Sequence, residues 1–112
     1  MGCADDEYLQ LLEDHLPAAF ARLRPTLCFF QAGVDPHASD RFGKLQISSA
    51  GLKRRNALVY RLAAEHRARL VVTMGGGYPK DLDESSTPFV QVVQAHMDCY
   101  RQAAAAHAKV RS

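Results

Sequence analysis

The sequence predicts an α/β fold with the element order helix, strand, helix, strand, helix. Three observations carry this. Residues 27–30 and 70–74 form two short apolar runs, each ending in a glycine-containing loop. An amphipathic segment with helical spacing lies between them, as a parallel crossover requires. Helical patterns also flank the pair on both sides. Both runs are almost continuously apolar, which predicts strands covered on both faces.

The first helix is predicted from Asp5 to about Leu23. Tyr8, Leu11, Leu12, Leu16, Ala19, Phe20 and Leu23 recur at helical spacing, and Asp5 and Asp6 suit the positive N-terminal end. Pro17 inside this pattern predicts a kink, or a break with a restart at the proline. Pro25 forces an extended exit into a strand over 26–31. Ser48 or Ser49 can cap a second helix that runs to about Arg67, with a buried stripe of Leu52, Leu58 or Val59, Leu62, Ala63 and His66. The second strand is predicted over 69–74. Thr87-Pro88 signals the start of a third helix, a capping hydroxyl followed by proline. Phe89, Val93, His96, Tyr100, Ala103 and His107 form its predicted stripe, and its alanine-rich end is expected to fray into a basic tail over 101–112.

At 112 residues the chain makes one domain at most, near the lower limit of a self-sufficient core. Two parallel strands make a poor sheet, because each leaves an edge unpaired and three or more are normally needed. Residues 1–112 therefore read as a single partial domain whose sheet lacks neighbours. A net charge of +2 gives no reason to expect direct nucleic-acid binding. The basic run Lys53-Arg54-Arg55 reads as a solvated helix face, with an anion- or nucleic-acid-binding patch as the lesser alternative. No run approaches the ~20 apolar residues that span a bilayer, and no signal peptide is legible. Met1-Gly2 is not a myristoylation start, since Asp6 stands where that motif needs Ser or Thr. Three widely spaced cysteines, Cys3, Cys28 and Cys99, without a C-x-x-C, argue for a reducing cytoplasm rather than a disulfide framework. Cys28, in an apolar run, reads as a small core residue.

The chemistry concentrates at the strand ends. Ligands in open parallel sheets bind just beyond the carboxyl ends of strands, so Asp35 and Tyr78 are expected on one rim. After Gly33 the chain runs Val34-Asp35-Pro36-His37. A carboxylate there can ligate a metal, orient a histidine or cap a turn. His37 makes an Asp-x-His pair with Asp35, but two ligands fall short of the three protein ligands of a catalytic zinc site. His15, His66, His96 and His107 lie on predicted helices and form no H-E-x-x-H. Gly75, Gly76 and Gly77 precede Tyr78 and allow close approach to the backbone. A phosphate cradle is the weaker reading, because no Lys-Ser/Thr follows and the next helix starts about eight residues later. A narrow pocket into which Tyr78 offers a phenol is the stronger one, since a phenol can stabilise an oxyanion in acyl transfer; taken alone, the loop reads as a glycine turn with a surface tyrosine.

Together these segments resemble the C-terminal portion of the histone deacetylase family, which has the arginase/deacetylase fold. The likeness is greatest to its bacterial and class IV-like members. It rests on Asp6-Glu7-Tyr8-Leu9, Arg24-Pro25, Gln31-Ala32-Gly33-Val34-Asp35-Pro36, Asp40-Arg41-Phe42-Gly43-Lys44-Leu45 and Gly75-Gly76-Gly77-Tyr78, and covers about residues 5–100. The resemblance implies part of a three-layer α/β/α parallel sheet. It implies that Asp35 is a zinc ligand and that Tyr78 polarises the scissile carbonyl and stabilises its oxyanion, with zinc activating the attacking water. Asp40 matches a recurrent position beside the site, without an assignable role. His37 matches no ligand position, and Ser39 stands where glycine is usual. The family's tandem histidine pair, and its Asp-x-His with a following glycine-rich stretch, have no counterpart here.

The function expected from the resemblance is that of part of a zinc-dependent amidohydrolase acting on acetyl-lysine or related acyl amides, polyamines included. It is expected to be inactive alone, to bind zinc only weakly alone, and to need an upstream part of the domain as partner. The alternative is a non-enzymatic remnant or interaction module that docks through an exposed sheet edge. A nucleotide-binding module ranks last.

Overall fold

The computed structural model describes residues 5–33, 47–75 and 83–111, without the side chains of 88 and 109–111. It has the predicted order: α1 (Asp5–Leu23), β1 (Leu27–Gln31), α2 (Ser49–Glu65), β2 (Arg69–Thr73) and α3 (Thr87–Arg111). The strands pair in parallel, with Leu27 opposite Arg69, Phe29 opposite Val71 and Gln31 opposite Thr73. Among the described residues no helix is long and apolar enough to cross a membrane.

All three helices pack on one face of this sheet. Cys28, Phe30, Leu70 and Val72 point into two adjoining cores. One core joins Leu52 of α2 to Val92, Ala95 and Cys99 of α3, together with Ala32 and Ile47. The other joins Phe20, Leu12 and Leu16 of α1 to Leu58, Leu62 and Ala63 of α2. The opposite face carries Leu27, Phe29 and Val71, all exposed. The continuous apolar runs predict cover on both faces; among the described residues only one is covered. A second helical layer is not among the described elements.

Local chemistry explains the boundaries. Ser48 is the N-cap of α2, its hydroxyl accepting from the Gly51 N–H at 3.0 Å. Asp5 binds the same corner, accepting from the Ser48 N–H at 2.8 Å and from the Ser48 hydroxyl, and so ties the starts of α1 and α2 together. Gly51 is required there, because a Cβ would lie 2.6 Å from Asp5 Oδ1 and 2.8 Å from Ile47 Cγ2. At the far end of α2, Arg67 takes a left-handed φ of 54° and the Ala68 N–H bonds the Ala63 carbonyl at 2.9 Å, which turns the chain into β2.

Several details depart from the sequence pattern. α1 passes through Pro17 as one helix, without a break. His66 is exposed at the C-cap of α2, its ring 5.5 Å from that of Phe20, rather than in the buried stripe. The hydroxyl capping α3 belongs to Ser86, which accepts from the Phe89 N–H at 3.3 Å, not to Thr87. α3 buries Val92, Ala95 and Cys99, while Val93, Tyr100 and His107 of the predicted stripe are exposed. The helix also continues through its alanines to Arg111, where fraying is expected from the sequence.

Candidate functional site

The two strands end side by side, and their backbones then converge. The Ala32 N–H donates to the Thr73 carbonyl at 2.9 Å, one residue beyond the end of β1. Beyond that bond Gly33 and Gly75 nearly touch. A Cβ on Gly75 would lie 2.7 Å from both the Cα and the N of Gly33, and 3.1 Å from Gln31 Cγ. Glycine at 75 is therefore a packing requirement of the rim. The chain runs on for two residues from Gly33 to Asp35, and for three from Gly75 to Tyr78. Of the site residues read from sequence, Gly75 lies at this rim. Asp35, Asp40, Gly76, Gly77 and Tyr78 lie outside the described residues, as does His37.

Behind the rim sits a buried polar cluster. Arg55 is 6% exposed and Asn56 fully buried. Arg55 Nη1 donates to the Gly33 carbonyl at 2.7 Å. Its Nε and Nη2 donate to Asn56 Oδ1 at 3.1 and 2.9 Å. The guanidinium lies 5.3 Å from the centre of the Phe30 ring, a cation–π distance. Asn56 Nδ2 donates to Gln102 Oε1 at 2.9 Å, and Gln102 Nε2 to the Lys53 carbonyl at 2.8 Å, which ties α2 to α3. The Cys99 thiol lies 3.4 Å from the Ala95 carbonyl and 3.8 Å from that of Ala32. Tyr60 donates its hydroxyl to the Cys99 carbonyl at 2.8 Å, and burial pushes its pKa up to about 12. No buried side-chain nitrogen or oxygen among the described residues lacks a partner.

The solvated-face reading of Lys53-Arg54-Arg55 holds for two residues of the three. Lys53 and Arg54 are exposed; Arg55 is in the core. The signal was its spacing, since Arg55 falls three residues after Leu52 and four before Val59, on the helix's own buried stripe. Cys28 is half-buried and packs against the second core, as its apolar run suggests.

A cavity of about 550 Å³ lies elsewhere, between the end of α2, the start of β2 and the alanine-rich part of α3, and includes neither Gly33 nor Gly75. Among the described residues, no group of three or more His, Cys, Asp or Glu side chains could hold a metal ion.

A family model described as histone deacetylase domain matches residues 1–94 of the chain. This chain belongs to the histone deacetylase family. Among curated relatives of this deacetylase-family chain, an uncharacterised protein of the cyanobacterium Picosynechococcus is 40% identical over 83 residues, 74% of this chain and 28% of that protein. Histone deacetylase 2 of Arabidopsis thaliana is 38% identical over 79 residues, 70% of this chain and 20% of that protein. A histone deacetylase-like amidohydrolase of Pseudomonas aeruginosa is 33% identical over 89 residues, 79% of this chain and 22% of that protein. The chain thus spans between a fifth and somewhat over a quarter of the length of these relatives.

Proposed function

We propose that this deacetylase-family chain carries one side of the active site of a zinc-dependent amidohydrolase that cleaves acetyl-lysine or related acyl amides, acylated polyamines included. The observation that carries the reading is the close approach of Gly33 and Gly75 at the carboxyl ends of two parallel strands. It brings together the two points from which the chain continues to Asp35 and to Tyr78.

The donor set limits what the chain does alone. Asp35 would supply one carboxylate ligand, and a catalytic zinc uses three protein ligands. Among the described residues no cluster completes it, so those residues do not fit a whole zinc site. Zinc held jointly with other protein ligands would supply Lewis-acid chemistry. Tyr78 would donate its phenolic hydrogen bond to the substrate's carbonyl oxygen, where negative charge develops. The glycines at 75–77 would leave room for a narrow acyl channel. Asp40, five residues after Asp35 in sequence, would lie beside the site without an assignable role. On this reading residues 1–112 need the remainder of a deacetylase domain as partner, and bind zinc weakly without it.

The test is a chimera in which this chain, α3 included, replaces the matched segment of the Pseudomonas amidohydrolase. Zinc-dependent turnover of an acetyl-lysine peptide is expected, falling by about 10²–10³ with Tyr78→Phe and at least as far with Asp35→Asn. A folded, zinc-loaded chimera that is indifferent to both substitutions would overturn the proposal. The isolated chain should show no chelator-sensitive turnover. The strand edges left unpaired among the described residues favour a second reading, a non-enzymatic module that docks through a sheet edge; an inert chimera with intact binding to a partner would select it.

A further inference from the structure

Arg55 is an expensive way to fill a core. A buried guanidinium loses most of its hydration, and an apolar side chain of similar volume would cost less. Among the described residues no carboxylate pairs with it: its partners are the carbonyl of Gly33, the amide oxygen of Asn56 and, at 3.8 Å, the thiol of Cys99. These come from three places, the exit of β1, α2 itself and α3. A planar fork with fixed donor directions can satisfy all three at once, which a flexible ammonium cannot. The ring of Phe30 on β1 holds the guanidinium plane in place.

The shortest of these bonds, at 2.7 Å, is to Gly33. That carbonyl lies two residues before Asp35 in sequence, and the Gly33 backbone is also what Gly75 packs against. We propose that Arg55 is a positioning residue for the rim that Gly33 and Gly75 form. It fixes the Gly33 backbone directly and, through the glycine–glycine contact, the point from which the chain departs toward Tyr78. The functional importance of this role rests on the reading of Asp35 and Tyr78 given above; the mechanical claim does not. Arg55 touches no reacting atom. It acts by holding the Gly33–Gly75 contact, the two points from which the chain continues to the ligand and the phenol, and loss of about an ångström of placement is costly in such sites.

The structure supplies its own probes. The Ala32 N–H, bonded to Thr73, reports on the rim, while the Arg69 N–H, bonded to Thr26 at 2.9 Å, reports on the opposite end of the same strand pair. Amide hydrogen exchange is measured on the 112-residue chain with Arg55→Lys and Arg55→Met. Exchange at Ala32 is expected to accelerate at least tenfold more than at Arg69 in both variants. Equal acceleration at the two ends, global unfolding included, would make Arg55 an ordinary core residue and overturn the proposal, as would unchanged exchange at Ala32. In the chimera, Arg55→Lys should lower kcat with little change in KM. If Asp35→Asn proves harmless there while the exchange result holds, the zinc reading fails and the positioning role stands.

Discussion

Tyr60 shows how the buried cluster sets the pH behaviour of the chain. Its hydroxyl donates to the Cys99 carbonyl, and burial raises its pKa from 10.0 to about 12. The folded state therefore holds the phenolic proton more tightly than the unfolded chain does. This contribution to stability is fully present below pH 10 and is lost as pH rises through about 12, because there the unfolded state gives up the proton first. Denaturant titrations between these limits should show stability falling with pH, and Tyr60→Phe should flatten that slope. A slope unchanged by Tyr60→Phe would mean that the phenol is solvated. The same cluster marks the limit of residue-level reading. Charge density made Arg55 look like surface, yet its position on the Leu52–Val59 stripe was visible in the sequence. Its partners were not, because Gly33 and Cys99 lie 22 and 44 residues away and only the fold brings them to one guanidinium.

The element order and the bounds of both strands were legible to within a residue, since apolar runs and punctuating Pro and Gly act locally. The phase of α3 was not. Its valines, aromatics and alanines offer two apolar stripes, and tertiary packing selects between them. The structure buries the smaller side chains Ala95 and Cys99 with Val92, while bulkier Tyr100 stays outside. Small residues on the buried stripe let α3 approach α2 closely enough for the bonds among Asn56, Gln102 and Lys53. α1 poses the opposite question, since Pro17 allows either a break or a continuous helix and the structure has one helix. In a continuous helix Pro17 denies Glu13 its intrahelical N–H partner. Pro17→Ala should then stabilise the chain by about 1–3 kcal/mol, read as a higher urea midpoint at unchanged slope. A lower midpoint would show that the proline starts a second helix.

At the scale of the molecule, the decisive feature is a sheet that the described elements dress on one side. Phe29 and Val71 face each other across the strand pair at 69% and 39% exposure, with Leu27 beside them at 51%. Met74, just past β2, is 65% exposed. Apolar side chains gathered in this way, on a two-stranded sheet with both edges unpaired among the described residues, favour association over isolated solvation. The apolar runs predict cover on both faces, and among the described residues the second face is exposed. The 112-residue chain should self-associate with rising concentration in sedimentation velocity. Phe29→Lys with Val71→Thr should shift it toward monomer, because a charge on the bare face must keep its water. Both side chains point away from the two cores, so the far-UV circular dichroism of the double variant should match that of the parent. A parent chain that stays monomeric at high micromolar concentration would mean that this face is not a docking surface. An equally associated double variant would move the contact to the strand edges, whose backbone N–H and C=O groups the substitutions leave untouched.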